Sequence, residues 1–130
     1  MSNKKTGTTF EKDFCILAAD KGYWAHMLQG NVDGQPSDVI IAKDGISVLL
    51  DCKVCGNNKF LFSRIEENQE CAMRKWLKKG NKYAIFALKV DSGIYMIPFM
   101  KLIALREAGA KQINLTQIKE LGVLFEDWVW

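Results

Sequence analysis

The strongest constraint on the fold is a pair of apolar segments, 38–42 and 46–53, separated by Lys43-Asp44-Gly45. Asp-Gly between two apolar runs is typical of a β-hairpin with a two-residue turn. Apolar residues occupy both odd and even positions of these runs, so we expect both faces of the hairpin to be buried. The segments are therefore predicted to be inner strands of a sheet that helices cover.

The remaining pattern alternates helices with strands. Thr8 and Glu11 fit a capping box before a helix over 9–21, and Ser63 and Glu66 fit another before a helix over 64–79. Strands are predicted at 23–28, 83–90 and 94–97, a third helix at 98–109, a short helix from 116, and a terminal strand pattern over 123–130. This order (α-β-β-β-α-β-β-α) predicts an α/β fold with a central mixed β-sheet flanked by helices.

Composition limits the class of protein. The chain is 48% hydrophobic and 25% charged, which is globular composition, and its net charge of +3 permits a polyanionic partner without requiring one. We expect residues 1–7 to be a disordered basic start and residues 8–130 to be a single domain. Residues 1–9 are polar, which is unlike a signal peptide, so we expect a cytoplasmic protein with four reduced cysteines.

Three charged residues at one end of the hairpin form the candidate site. If Asp44-Gly45 is the turn, paired residue numbers sum to 89, and Asp38 lies opposite Asp51 with Cβ atoms about 4.5–5.5 Å apart. Lys53 follows Asp51 by two residues and shares its face. Opposed carboxylates are costly unless a cation lies between them, and their hard oxygens suit Mg²⁺ or Mn²⁺. The sequence thus predicts a divalent-cation site able to act on a phosphodiester bond.

Two simpler explanations of the same residues stay open. Asp38 and Asp51 could be strand-end charges that face solvent. The turn could also slip by one residue, which would break the pairing between them.

These motifs resemble a known superfamily. Pro36-Ser37-Asp38 followed by Asp51-Cys52-Lys53 resembles the PD-(D/E)xK nuclease signature. Residues 60–69 resemble the region after the catalytic lysine in RecU-type Holliday-junction resolvases, where a phenylalanine-containing run leads into a helix with a His-Gln pair. Residues 95–99 resemble the next strand-to-helix step of that family. The resemblance covers about residues 7–105.

The resemblance implies a restriction-endonuclease-like core and a homodimeric, Mg²⁺-dependent endonuclease for branched DNA, with Mn²⁺ as a substitute. It adds Glu11 and Gln69 to the site, with Glu11 as a third metal ligand beside Asp38 and Asp51. Basic residues are the candidates for contacts with DNA, although such runs are often solvated helix faces. They are Lys4, Lys5, Arg64, Arg74 and Lys75.

Several residues depart from the resolvase pattern. Asp51 stands where those enzymes usually have glutamate, and Asn68 replaces the histidine of the His-Gln pair. Their long stalk is absent, because only residues 25–35 separate Trp24 from Pro36. A restriction, repair or phage DNA-processing nuclease therefore stays open as an alternative substrate class, and so does a non-catalytic nucleic-acid-binding module.

The two residues that the resemblance adds to the site could instead have structural roles. Glu11 could act only as the capping partner of Thr8, and Gln69 could be a hydrogen-bonded residue at the rim of its helix.

The cysteines and the lone histidine have simple expected roles. Cys52 and Cys55 form a CxxC, a weak zinc signal, and we expect the cysteines to be small buried hydrophobic residues. We expect His26 to have a structural or surface role. Trp128 and Trp130 are expected in the core, with a dimer contact or base stacking as alternatives.

Overall fold

The computed structural model describes the backbone of residues 3–28 and 39–129, and the side chains of residues 9–28 and 39–129. Short 3₁₀ turns lie at Phe62–Arg64 and Phe125–Asp127, and Gly56–Asn58 forms a tight turn with left-handed residues. The helices are α1 (Asn3–Asp20), α2 (Glu67–Lys78), α3 (Phe99–Glu107) and α4 (Leu115–Leu121). The strands are β1 (Trp24–Met27), β2 (Val39–Lys43), β3 (Ile46–Val54), β4 (Phe60–Leu61), β5 (Tyr83–Val90), β6 (Gly93–Pro98), β7 (Gln112–Ile113) and β8 (Val123–Leu124).

A mixed sheet of six strands forms the centre of the fold, in the order β1-β2-β3-β5-β6-β8. Strands β3 and β5 are parallel, and the other neighbours are antiparallel. The predicted α/β architecture is confirmed. The two-stranded ribbon of β4 and β7 was not predicted, because two residues are too few to show an alternating pattern.

Helices cover both sides of the sheet. We call the side that carries Leu49, Phe86 and Leu88 the α2 face, because it packs against α2, α3 and α4. The opposite side, which carries Val48 and Leu50, we call the α1 face. Among the described residues, no helix is long and apolar enough to cross a membrane.

The hairpin of β2 and β3 has the predicted turn and register. Asp44 and Gly45 have φ angles of 54° and 81°, the left-handed pair that this turn requires. Pairing runs from Lys43 with Ile46 to Val39 with Leu50, so every described pair sums to 89. The alternative in which the turn slips by one residue is therefore wrong.

The two helix starts that were predicted from capping boxes are wrong. Helix α1 begins at Asn3, so it includes residues 3–7, which we expected to be disordered, and Thr8 lies inside it instead of capping it. Extending a formed helix costs far less than starting one, which favours the longer helix. Helix α2 begins at Glu67, because Ile65 is extended and buried in the core, and Glu66 with Gln69 forms the capping box.

The C-terminal segment is held by a lysine from α1's end. Lys21 Nζ donates to the carbonyl oxygens of Phe125 at 2.6 Å, Glu126 at 3.2 Å and Trp128 at 3.2 Å. These carbonyls are thereby taken from strand pairing, so β8 ends at Leu124, earlier than predicted. Trp128 packs beside Tyr23 in the core, as expected, and Trp130 lies outside the described residues.

An ion-pair network joins α2 to α3. Arg106 donates from Nη1 and Nη2 to Glu70 Oε1 and Oε2 at 2.7 and 3.0 Å, and Arg74 Nε donates to Oε2 at 3.0 Å. Hydrogen bonds from Arg106 lead the causes that lower the pKa of Glu70 from 4.5 to about 2.

We expect Glu70→Gln to lower the free energy of unfolding by about 1 kcal/mol at pH 7, a modest value because the partners are partly exposed. The folded-state pKa of Glu70 is depressed, so its contribution is complete above pH 4.5 and is lost as the pH falls towards 2. Urea unfolding of both proteins at pH 7 and near pH 2 measures this. Glu120→Gln is the control, since Glu120 is an exposed glutamate on another helix, α4. A deficit equal at both pH values would contradict the assignment.

Candidate active site

A buried charged pair stands at the end of an inner strand. Asp51 is on β3, between β2 and β5, and is completely buried. Lys53 Nζ lies 3.5 Å from Asp51 Oδ1, with 13% of the lysine side chain exposed. Both residues project to the α2 face, as their spacing predicted, because they alternate with Leu50 and Cys52 of the α1 face. A buried ion pair adds little net stability compared with apolar residues, so its presence here points to chemistry.

The third member of the predicted centre lies outside the described residues. Pro36, Ser37 and Asp38 immediately precede the first described residue of β2. One further step of the observed register would place Asp38 opposite Asp51, on the same face. That pairing stays a prediction.

Glu11 lies on α1, which reaches this end of the sheet on its other side, where Lys89 Nζ lies 5.6 Å from the Phe10 ring. Its helix packs on the α1 face through Phe10 and Phe14, and Glu11 is partly buried at the margin of that contact. Burial, followed by the charge of Glu11, raises the pKa of the Cys15 thiol one turn later. A role beside Asp51 would require the Glu11 side chain to extend past the end of the strand, so the sequence-based assignment of Glu11 stays a prediction.

Gln69 lies in the first turn of α2 and is buried. Its Oε1 accepts a hydrogen bond from the backbone N–H of Glu66 at 3.4 Å, which caps the helix. The backbone N–H of Gln69 donates to Asn68 Oδ1 at 3.0 Å. Gln69 therefore has a structural role on the side of the sheet that carries Asp51, and its predicted contact with a metal-bound water or a phosphate stays a prediction.

Arg64 is hydrogen-bonded to the backbone at the end of β3, just after Lys53. Its Nη1 donates to the carbonyl oxygen of Val54 at 2.8 Å, and its guanidinium lies over the Phe60 ring at 5.8 Å. Burial raises the pKa of the Cys55 thiol to about 11, against the lowering effects of Arg64 and Lys53. Two cations thus gather at this end of β3. Arg64 was predicted only as a DNA contact, and a pattern in the sequence gives no sign of its bond to Val54.

A second set of hydrogen bonds joins the loop after β3 to the turn between β5 and β6. Asn58 Nδ2 donates to Asp91 Oδ2 at 3.0 Å, and the Asp91 N–H donates to Asn58 Oδ1 at 2.9 Å. Asn57 and Asn58 both have left-handed backbones, with φ of 58° and 52°. The Gly-Asn-Asn sequence signals a turn, but not its partner on a distant loop.

The remaining basic residues that we predicted to contact DNA are Arg74, Lys75, Lys4 and Lys5. Arg74 is bonded to Glu70, and Lys75 is exposed on α2. The side chains of Lys4 and Lys5 lie outside the described residues, although their backbone belongs to α1. Contacts of these residues with DNA stay predictions.

The two cysteines of the CxxC lie on opposite faces of the sheet. Cys52 belongs to the core of the α1 face and Cys55 to that of the α2 face, so the pair does not converge on one ion. Both are buried as expected, whereas Cys71 is exposed, because it lies on the solvent side of α2. His26 is exposed on β1, in agreement with a surface role.

Comparison with known proteins identifies a family that matches the sequence and structures that have a similar fold. The model of the family described as recombination protein U matches residues 35–127. No curated protein matches the sequence. The fold is similar to that of Hjc, a Holliday junction resolvase from Archaeoglobus fulgidus, with a TM-score of 0.69 and 19% identity over 94% of this chain and 93% of that one. It is also similar to the bacterial homing endonuclease I-Ssp6803I, with a TM-score of 0.57 and 15% identity over 99% and 80% of the chains.

Proposed function

Because the chain belongs to the recombination protein U family, we propose that it is a metal-dependent endonuclease that hydrolyses phosphodiester bonds in DNA, with four-way junctions as its preferred substrate. The observation that carries the proposal is the buried pair of Asp51 and Lys53 at the end of an inner strand. Such a pair is costly to a core and useful to a reaction that develops negative charge.

Carboxylate oxygens would hold the cation. Asp51, Asp38 and Glu11 are the proposed ligands, and the structure describes the position of Asp51. Together they would form the hard oxygen set that suits Mg²⁺, with Mn²⁺ as a substitute. A bound Mg²⁺ supplies Lewis-acid polarisation of the phosphate and a more acidic water. Asp51 offers negative charge at a position that the surrounding core excludes from bulk water.

Lys53 supplies the positive charge of the chain itself. Its ammonium group lies next to Asp51 and keeps some exposure to solvent, so it can reach both the carboxylate and a phosphate that arrives at the sheet end. There it would donate a hydrogen bond to the attacking water or to the phosphate oxygens on which charge accumulates. Arg64 keeps the backbone after Lys53 in place through its bond to Val54.

A homodimer would complete the activity on junctions. Two symmetry-related centres can cut two strands of a junction that is itself symmetric. In this proposal residues 8–130 form the nuclease domain, and the protein acts on DNA in the cytoplasm of a bacterium, an archaeon or a phage-infected cell.

A synthetic four-way junction tests the proposal directly. We expect the purified protein to nick it in the presence of Mg²⁺, and Asp38→Asn to abolish nicking because a metal ligand is lost. The matched control is Asp44→Asn, the same change at the exposed opposite end of the hairpin, where Asn-Gly also suits the turn.

The outcomes separate the candidate functions. A wild type that binds junctions without cutting them, in Mg²⁺ or in Mn²⁺, contradicts the enzyme and supports a non-catalytic binding module. Preferential cutting of linear duplexes or flaps would instead support a restriction, repair or phage DNA-processing nuclease, because one fold serves many substrates.

A further inference from the structure

An exposed pair of aromatic rings lies on the edge strand of the sheet. Trp24 of β1 is 61% exposed, and its ring is stacked on that of His26, with centroids 5.6 Å apart and planes at 14°. The tryptophans Trp76 and Trp128, in contrast, pack against the two cores. An exposed tryptophan ring with a second ring behind it is an arrangement that can bind a flat apolar ligand.

The stacked rings share a face of the sheet with the candidate active site. Trp24 pairs with Ala42 and His26 with Ile40, and residues directly opposite one another project to the same side. Ile40 packs against the core of the α2 face, which is the face of Asp51. The alternate residues of β1 pack against the other core.

The spacing between the rings and Asp51 suits a nucleic-acid strand. Strand β1 lies two strand spacings, about 10 Å, from β3. Measured along the strand direction, His26 is about 7 Å and Trp24 about 14 Å from Asp51. The Cα atoms are therefore roughly 12 and 17 Å from that of Asp51. For a strand that keeps the stacked rise of about 3.4 Å for each nucleotide, as in a duplex, this is about four or five nucleotides.

Positive charge accompanies the rings at this end of the sheet. Trp76 Nε1 donates to the carbonyl oxygen of Tyr83 at 2.9 Å, which fixes the end of α2 at the start of β5. Tyr83 is level with Val48, one residue beyond Ser47, which pairs with Ala42 beside Trp24. The exposed lysines near the end of α2 therefore lie at the same end of the α2 face as Trp24. They are Lys75, Lys78, Lys79 and Lys82.

We propose that Trp24, backed by His26, is a stacking platform for an unpaired base of DNA, on a path along the α2 face that leads to Asp51. Aromatic rings beside cations are the usual components of single-strand binding, because stacking needs no particular base. The proposal rests on the proposed nuclease function for the direction of this path, whereas binding to the platform does not require cleavage. Its occupant is a single-stranded segment, such as the open centre or a frayed arm of a branched substrate.

Binding of an oligothymidylate of about 12 nucleotides tests the platform, a length within the usual site sizes for single strands. The protein carries Asp51→Asn and is studied in EDTA, so that cleavage does not interfere. We expect Trp24→Ala to raise the Kd about tenfold and Trp24→Phe to keep most of the affinity, because a ring remains. Ile16→Ala is the matched control, since Ile16 is also 61% exposed but lies on α1.

Intrinsic fluorescence gives a second readout. We expect the oligonucleotide to quench the tryptophan emission, and most of the quenching to disappear in Trp24→Phe, which keeps the other three tryptophans. Trp24→Ala should unfold within a few degrees of its parent, because Trp24 is 61% exposed.

The results distinguish the platform from the nuclease. If wild-type protein cuts DNA but Trp24→Ala binds the oligonucleotide as tightly as its parent, the platform is contradicted and the nuclease stands. If no DNA is cut but Trp24→Ala weakens binding, the nuclease is contradicted and the platform stands. A Trp24→Ala protein that loses self-association while its DNA affinity is unchanged would overturn the platform and assign the rings to a contact between two copies of the chain.

Discussion

Asp51→Asn is expected to slow DNA cleavage about a thousandfold while the protein stays folded. Asparagine keeps the shape of the side chain and removes the charge that would bind the cation, which supplies several kcal/mol of transition-state stabilisation. Lys53 retains contact with water, so the fold should tolerate the loss of its partner. Single-turnover cleavage of a junction under saturating Mg²⁺ measures the effect.

Asp91→Asn is the matched control for this experiment. Asp91 is an exposed aspartate at the same end of the sheet, where it is bonded to Asn58, and we expect its variant to cut within about threefold of the wild type. Thermal unfolding adds an independent test, because Mg²⁺ at 100 times its Kd would stabilise the wild type by about 2.7 kcal/mol. Asp51→Asn should lose that stabilisation and Asp91→Asn should keep it. If Asp51→Asn cuts within tenfold of the wild type, Asp51 is not a metal ligand.

The elements that the sequence predicted well are those that local chemistry determines. The Asp44-Gly45 turn needs two left-handed residues, and once it forms, the register of β2 on β3 follows. Strand β5 has the predicted limits, because an apolar run is bounded on both sides by polar turn residues. The position of Lys53 on the face of Asp51 follows from the two-residue period alone.

The features that the sequence did not predict depend on contacts between distant residues. Lys21 holds carbonyl oxygens more than 100 residues later, which ends β8 early. Burial of Ile65 delays the start of α2, although the local pattern was compatible with a helix from Arg64. A local pattern cannot include such a contact, because the partner has no fixed place in the sequence.

In the candidate site, too, some residues are positioned by the local sequence and others by the packing of distant elements. The alternation of side chains along β3 brings Asp51 and Lys53 together without help from the rest of the chain. Glu11 and Gln69 were added by family resemblance, and the packing of their helices decides what each can reach. That packing places Gln69 on the face of Asp51 and the helix of Glu11 on the other. The periodicity of a helix shows that it has an apolar side, but not which face of the sheet it covers.

Lys53→Met should affect both stability and cleavage, because Lys53 is the cation beside a completely buried carboxylate. Without metal we expect a loss of about 3 kcal/mol in the free energy of unfolding, the usual cost of removing one partner of a buried pair. Cleavage should fall by about 100-fold or more, since the charge that faces the phosphate is gone.

Magnesium should stabilise Lys53→Met more than the wild type, because the metal and the lysine neutralise the same carboxylate, and in the variant the metal does so alone. Urea unfolding with and without Mg²⁺ measures this difference. Lys89→Met is the matched control: Lys89 is paired with Val54 on the neighbouring strand, is exposed, and contacts the ring of Phe10, so its loss should cost at most about 1 kcal/mol, with cleavage intact. If Mg²⁺ stabilises Lys53→Met and the wild type equally, the lysine and the metal do not share Asp51, and the proposed centre would have to be built on another carboxylate.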